Sequence, residues 1–217
     1  MTYHIETYKT LRDVGDYPLR NLKLMFDNLP QLTKKAYPRI TEEEVLRNCA
    51  IISCAYVTGG RISEVIDLKV KNISKEEDWI ILRLPNRKNK RTVYKDAIAN
   101  LKVEKIFLKY LLKYFVKKQL VYEQDDYLFQ SDRKKKICRT TAYLIFKRIV
   151  KSNPHFFRKL RGSHLMEYYG LTPKELQQFM GWATFSSSEP YILISKFGMK
   201  NRYMENSERA KKLIGDD

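Results

Sequence analysis

Residues 155–192 read HFFRKLRGSHLMEYYGLTPKELQQFMGWATFSSSEPYI. His155 and Arg158 open the stretch. Pro154 restrains Asn153 to extended geometry, and a helix starting there places His155 and Arg158 on one face, one turn apart. Thr172, Pro173 and Glu175 form a helix start, with an N-cap, a proline at the first helical position and a capping glutamate at the third. Gly181 ends that helix. Trp182 falls just outside it, and ATFSSSEP reads as a flexible polar loop that delivers Tyr191. The helix from Thr172 to Met180 is then a spacer that folds Trp182 and Tyr191 back toward the face holding His155 and Arg158.

These residue types share one chemistry. An arginine keeps its proton and matches two phosphate oxygens at once. A histidine moves protons near neutral pH, an indole N–H only donates, and a tyrosine can be a covalent nucleophile. Together they suit attack on a phosphodiester without a metal. Such a site needs further positive charge around a five-coordinate phosphate, and an acid for the departing 5′ oxygen. Arg61, at a Gly-Gly turn where a helix begins, answers the first need. Lys88 and Lys90, in the turn NRKNK, answer the second. Glu64, one turn from Arg61, either orients it or is exposed.

The composition agrees. The chain has 217 residues and a formal net charge of +17, which favours a polyanion, nucleic acid before a membrane surface. No apolar run reaches the ~18 residues of a spanning helix, and MTYHIETYKTLRD lacks the apolar stretch of a signal peptide. The expected location is cytoplasmic. Cys49, Cys54 and Cys138 form no metal-ligand pairs and read as structural. No metal site and no cofactor is expected.

Residues 1–38 read as a helical remnant, PLRNLKLMFDNL, and an exposed connection, PQLTKKAYPR. A new unit spans 39–217. Thr41 and Glu44 make a capping box before a helix that ends at Gly59 and Gly60. A short helix follows, with Ile62, Val65 and Ile66 facing inward. DWIILRLP and RTVYK read as a hairpin, and a long helix is expected from Ala97 to Lys118. DYLFQS is extended and TTAYLIFKRIVK helical. Arg133, Lys134, Lys135 and Lys136 are candidates for phosphate contact, with a solvated charge run as the alternative. Arg139, just before a helix, is a further phosphate candidate. His164 lies off the His155–Arg158 face, so it should pack or bond within its helix.

Over residues 38–195 the chain resembles the tyrosine recombinases, which include phage-type integrases and Xer-like resolvases. TGGRISEVIDL resembles the box around the first catalytic arginine, which implies Arg61. NPHFFRKLRGSHLMEYYG resembles the second box and implies His155 and Arg158. FMGWATFSSSEPY resembles the closing box and implies Trp182 and the nucleophile Tyr191. The resemblance implies a mostly α fold (α+β) with a small three-stranded antiparallel sheet at one edge. It further implies a site-specific recombinase acting on double-stranded DNA attachment sites through a 3′-phosphotyrosine, without metal or ATP.

By the same resemblance, Lys88, the earlier of the two turn lysines, is favoured over Lys90 as general acid. Arg87 and Arg91 beside them are DNA contacts. Family members work as a tetramer on DNA, and this chain is expected to do so, monomeric without DNA, with 195–217 either an exchanged segment or a polar tail. The chain departs from the family pattern at Gly60, Lys159 and Trp182, and the separate N-terminal DNA clamp is expected to be missing or reduced. The wealth of Lys, Ile and Tyr points to a mobile element of a thermophilic archaeon. The rival readings are a type IB topoisomerase and a catalytically idle DNA-binding protein.

Overall fold

The computed structural model describes residues 17–86, 93–131 and 135–194. The helices of the first half are α1 (Leu19–Asp27), α2 (Leu29–Ala36), α3 (Glu42–Thr58) and α4 (Ile62–Ile66). A three-stranded sheet follows, β1 (Ile73–Glu76), β2 (Trp79–Asn86) and β3 (Val93–Asn100). Then come α5 (Lys105–Gln119), α6 (Arg139–Ile149), α7 (Pro154–Glu167), α8 (Pro173–Met180) and α9 (Glu189–Ile194).

The bundle is organised around α3. The Thr41 hydroxyl and the Glu44 carboxylate close the expected capping box at its start, which contributes about 1 kcal/mol. Every residue from Asn48 to Thr58 is buried, because α2, α5, α7 and β3 all pack on this helix. Cys49 and Cys54 lie in that run, where burial pushes their thiols up to about 11 and about 12. Such thiols are inert packing groups. Cys138 is instead exposed, and its sulfur caps α6 by accepting from the Thr141 N–H.

The sheet has the order β1-β2-β3, antiparallel throughout. The long helix expected from Ala97 starts only at Lys105, because Ala97–Asn100 continue β3. Burial along this strand has period two: Lys95, Ala97 and Ala99 face inward opposite Leu84, Leu82 and Ile80, while Tyr94, Asp96 and Ile98 face out. Alanines line the inner face where α3 and α8 pack against the strand. The apolar signal in the sequence therefore sits on the outer side.

PQLTKKAYPR is an exposed connection only at its end, where Pro38 and Arg39 are exposed. Residues 29–36 are helical, with Pro30 in the first turn, where no N–H is needed. Leu29 and Thr33 are buried, and Tyr17, Leu22, Met25 and Phe26 share the main core. Phe26 meets Tyr56 and Phe107 edge-on, with centroids at 5.8 and 5.1 Å. The polar stretch after Trp182 is a 3-10 turn, Phe185–Ser187, leading into α9, so a helix rather than a loop carries Tyr191.

His164 is buried and packs as expected, but its bonds leave its own helix. Nδ1 lies 2.9 Å from the Tyr56 hydroxyl and Nε2 lies 2.9 Å from the Tyr17 carbonyl. A carbonyl only accepts, so Nε2 carries the hydrogen and Nδ1 accepts from Tyr56. Burial pushes the His164 pKa down to about 4, against an upward pull from the Tyr17 carbonyl. The unfolded chain therefore takes up this proton near pH 6.5 and the native state only near 4. The neutral packing carries no proton penalty above pH 6.5, and stability falls as the pH drops toward 4, by about 3 kcal/mol from this group. Urea unfolding of wild type and His164→Gln between pH 7 and pH 4 should show that difference in slope. Parallel pH profiles would contradict it.

Candidate active site

Arg61, Arg139, His155 and Arg158 line one cavity of about 330 Å³, together with Tyr143 and Asn153. The N-termini of α6 and α7 both open onto it. Arg139 begins the first, and Asn153 caps the second by accepting from the Phe156 N–H at 3.0 Å. Helix N-termini add partial positive charge, so the cavity combines three guanidinium groups with two favourable dipoles for an anion.

Arg61 occupies the N-cap position of α4. Its guanidinium donates to Glu64 Oε1 at 2.7 Å, and its backbone N–H donates to Glu64 Oε2 at 2.9 Å. Glu64 is 1% exposed and Arg61 35% exposed, so a buried carboxylate holds the arginine at the cavity wall. Of the two readings left open for Glu64, the orienting one matches this geometry. Burial works against its charge, but Lys95, both contacts from Arg61, and Arg158 outweigh it and hold the carboxyl below its usual range.

Arg158 is 4% exposed. It donates to the Gly59 carbonyl and, at 3.1 Å, to the Met180 carbonyl. Gly59 makes this possible. Its φ of +54° suits glycine, and a Cβ there would come within 2.8 Å of the Met180 sulfur. The helix-ending glycine thus presents its carbonyl to Arg158 and lets α8 approach. Burial lowers the Arg158 pKa, with Arg61 adding to this and Glu64 opposing it. An arginine stays charged regardless.

His155 stands at the mouth of the cavity. Partial burial lowers its pKa first, and Lys159, Arg158 and Arg61 lower it further. The ring is therefore neutral at pH 7 and able to accept a proton.

Tyr191 is buried against α7. Its ring lies 5.2 Å from that of Trp182 at an interplanar angle of 31°. It also covers Gly162, where a Cβ would come within 2.6 Å of the Tyr191 ring. Burial pushes its pKa up to about 12, with Arg158 pulling the other way, so the hydroxyl holds its proton until a base takes it. Trp182 also meets Arg158, whose guanidinium lies 5.8 Å from the indole.

Arg87, Lys88, Lys90, Arg91, Arg133 and Lys134 lie outside the described residues, as does 195–217. Lys135 is exposed. Lys136 is engaged, with Nζ 2.6 Å from Asp67 Oδ1 and 5.2 Å from the Tyr127 ring. Sequence reasoning missed Lys95. Its ammonium is buried 3.3 Å from Glu64 Oε2 and 3.4 Å from the Met180 carbonyl. The strand register is the only signal that could have found it. A larger cavity, about 560 Å³, lies between residues 36–40, α3 and α6. In it Arg47 is held by Glu44 and the Gln130 carbonyl, and Arg148 lies over Tyr37.

The phage integrase family model matches residues 23–196, and the chain belongs to that family. It is 24% identical over 207 residues to tyrosine recombinase XerA of Pyrococcus furiosus, covering 87% of this chain and 68% of the relative. It is 25% identical over 182 residues to tyrosine recombinase XerC of Leptospira interrogans, covering 79% of this chain and 54% of the relative. The fold matches that of XerH site-specific recombinase bound to difH substrate, with a TM-score of 0.61 at 19% identity, covering 77% of this chain and 48% of that one. The chain thus spans about half the length of the XerC and XerH proteins. Among the described residues, no helix is long and apolar enough to cross a membrane.

Proposed function

We propose that this chain is a site-specific DNA recombinase that breaks and rejoins strands through a 3′-phosphotyrosine. The carrying observation is the single cavity lined by Arg61, Arg139, His155 and Arg158, with Trp182 against both Arg158 and the Tyr191 ring. Arg61 and Arg158 hold the non-bridging oxygens of the scissile phosphate, and Arg139 adds charge at the rim. The Tyr191 oxygen forms a bond to phosphorus as its proton passes to His155. The bond to the 5′ oxygen breaks, and Lys88 or Lys90 protonates that oxygen. A partner strand's 5′ hydroxyl then displaces Tyr191, so the number of phosphoesters is unchanged and no ATP is consumed. The arginines and a lysine supply the charge that a metal would.

Arg87, Arg91 and Lys135 contact the DNA backbone in this reading. A tetramer assembles on two duplexes, and 195–217 passes between neighbours. The reaction takes place in the cytoplasm. The structures of XerH with its DNA substrate support DNA as the partner.

The test uses nicked duplexes with randomised arms, captured by covalent attachment to the protein. Attachment at 3′ ends, and strand exchange between two duplexes carrying the captured site, are the expected results. Relaxation of supercoils without exchange would favour the topoisomerase reading. DNA retention without any adduct would leave an idle DNA-binding protein.

A further inference from the structure

The inner face of β2 and β3 is apolar at Ile80, Leu82, Leu84, Ala97 and Ala99, yet Lys95 shares it. An aliphatic residue would fill this place without the desolvation cost of an ammonium, so the sheet itself has no need of the charge. What the ammonium touches differs from its strand neighbours. It lies 3.3 Å from Glu64 Oε2, and Glu64 grips both the backbone and the guanidinium of Arg61. It also lies 3.4 Å from the Met180 carbonyl, which accepts from Arg158 at 3.1 Å.

We infer that Lys95 is a positioning residue for the reaction, its ammonium tying the holder of Arg61 to the holder of Arg158 so that both guanidinium groups keep one spacing at the phosphate. This rests on the recombinase reading above. The two arginines arise from separate segments, α4 and α7, and repel each other. Glu64 and the Met180 carbonyl, linked through Lys95, join those segments behind the cavity. The groups facing Lys95 are Glu64 and Arg61 from α4, Arg158 from α7, Cys54 from α3 and the Met180 carbonyl from α8. Burial pushes the Lys95 pKa down to about 8, with Glu64 opposing and both arginines adding to the fall. The bridging form is therefore present below pH 8 and is lost as the pH rises through it.

Single-turnover adduct formation on the captured nicked duplex, followed from pH 6.5 to 9.5, tests this. Lys95→Met should bind that duplex within about twofold of wild type and form the adduct about 100-fold more slowly, the loss expected when reacting groups shift by about 1 Å. Lys95→Arg keeps a charge that does not titrate. It should restore much of the rate and lack the downward bend that wild type shows near pH 8. A Lys95→Met protein that forms the adduct at the wild-type rate would overturn the inference and leave the recombinase reading intact. If circular dichroism shows Lys95→Met unfolded, Lys95→Arg decides, and a bend near pH 8 that persists in it overturns the inference. Absence of any adduct with wild type sinks both.

Discussion

Tyr191→Phe should abolish covalent DNA attachment while leaving DNA binding unchanged. The phenyl ring can keep the packing against Trp182 and over Gly162, so the helix that carries it stays in place. Only the oxygen proposed to bond to phosphorus is lost. Removing a nucleophile of this kind costs at least about 10⁴-fold in rate, which places adduct formation below detection. Binding is governed by the +17 net charge and its counterions, and neither changes. Denaturing gels after incubation with the captured nicked duplex read the adduct, and filter retention at several salt concentrations reads binding. An adduct that persists in Tyr191→Phe would move the nucleophile to another side chain.

The second large effect concerns folding. Arg161→Met should destabilise the protein by about 3–5 kcal/mol, the cost of leaving a buried charge unpaired. Arg161 is fully buried and pairs with Glu104 through two bonds, at 2.5 and 3.0 Å. Its guanidinium also lies 5.3 Å from the Tyr56 ring, 5.1 Å from Tyr169 and 5.6 Å from Phe179. Burial works against its charge, and Glu104 more than offsets this, so the proton is held more firmly than usual. Glu104 sits at the corner between β3 and α5, and the pair ties that corner to α7. The double variant Glu104→Met/Arg161→Met removes both charges and should recover most of the loss, since a well-packed apolar pair often replaces a buried ion pair at little cost. Urea unfolding of the two variants decides this. A single variant within about 1 kcal/mol of wild type would contradict the assigned role.

Local signals explain what was legible in the chain. Capping boxes at Thr41 and Thr172, and glycines at 59 and 181, mark helix ends through bonds between residues a few positions apart. These elements stand where the sequence places them. The spacing of His155 and Arg158 is likewise a property of one helix, and both line the same cavity. The end of β3 was not legible because its inner face is built from small residues and a lysine, so periodicity pointed to a helix. Residues 30–36 read as a connection because their proline and cations suggest exposure. Pro30 falls in the first helical turn, and Leu29 and Thr33 turn toward the core.

The sequence by itself determined the helix ends, the order of the boxes and the identity of the groups that could perform phosphoryl transfer, because each depends on neighbours along the chain. Only the tertiary structure decided how those groups are held. Glu64 is buried and clamps Arg61. The Gly59 and Met180 carbonyls hold Arg158, and Gly162 makes room for Tyr191. Lys95 reaches Glu64 and the Met180 carbonyl from a strand whose register no local pattern reveals. Apart from the local Arg61–Glu64 pair, these contacts join segments tens of residues apart, and they form only where the packing of α3, α7, α8 and β3 brings them together.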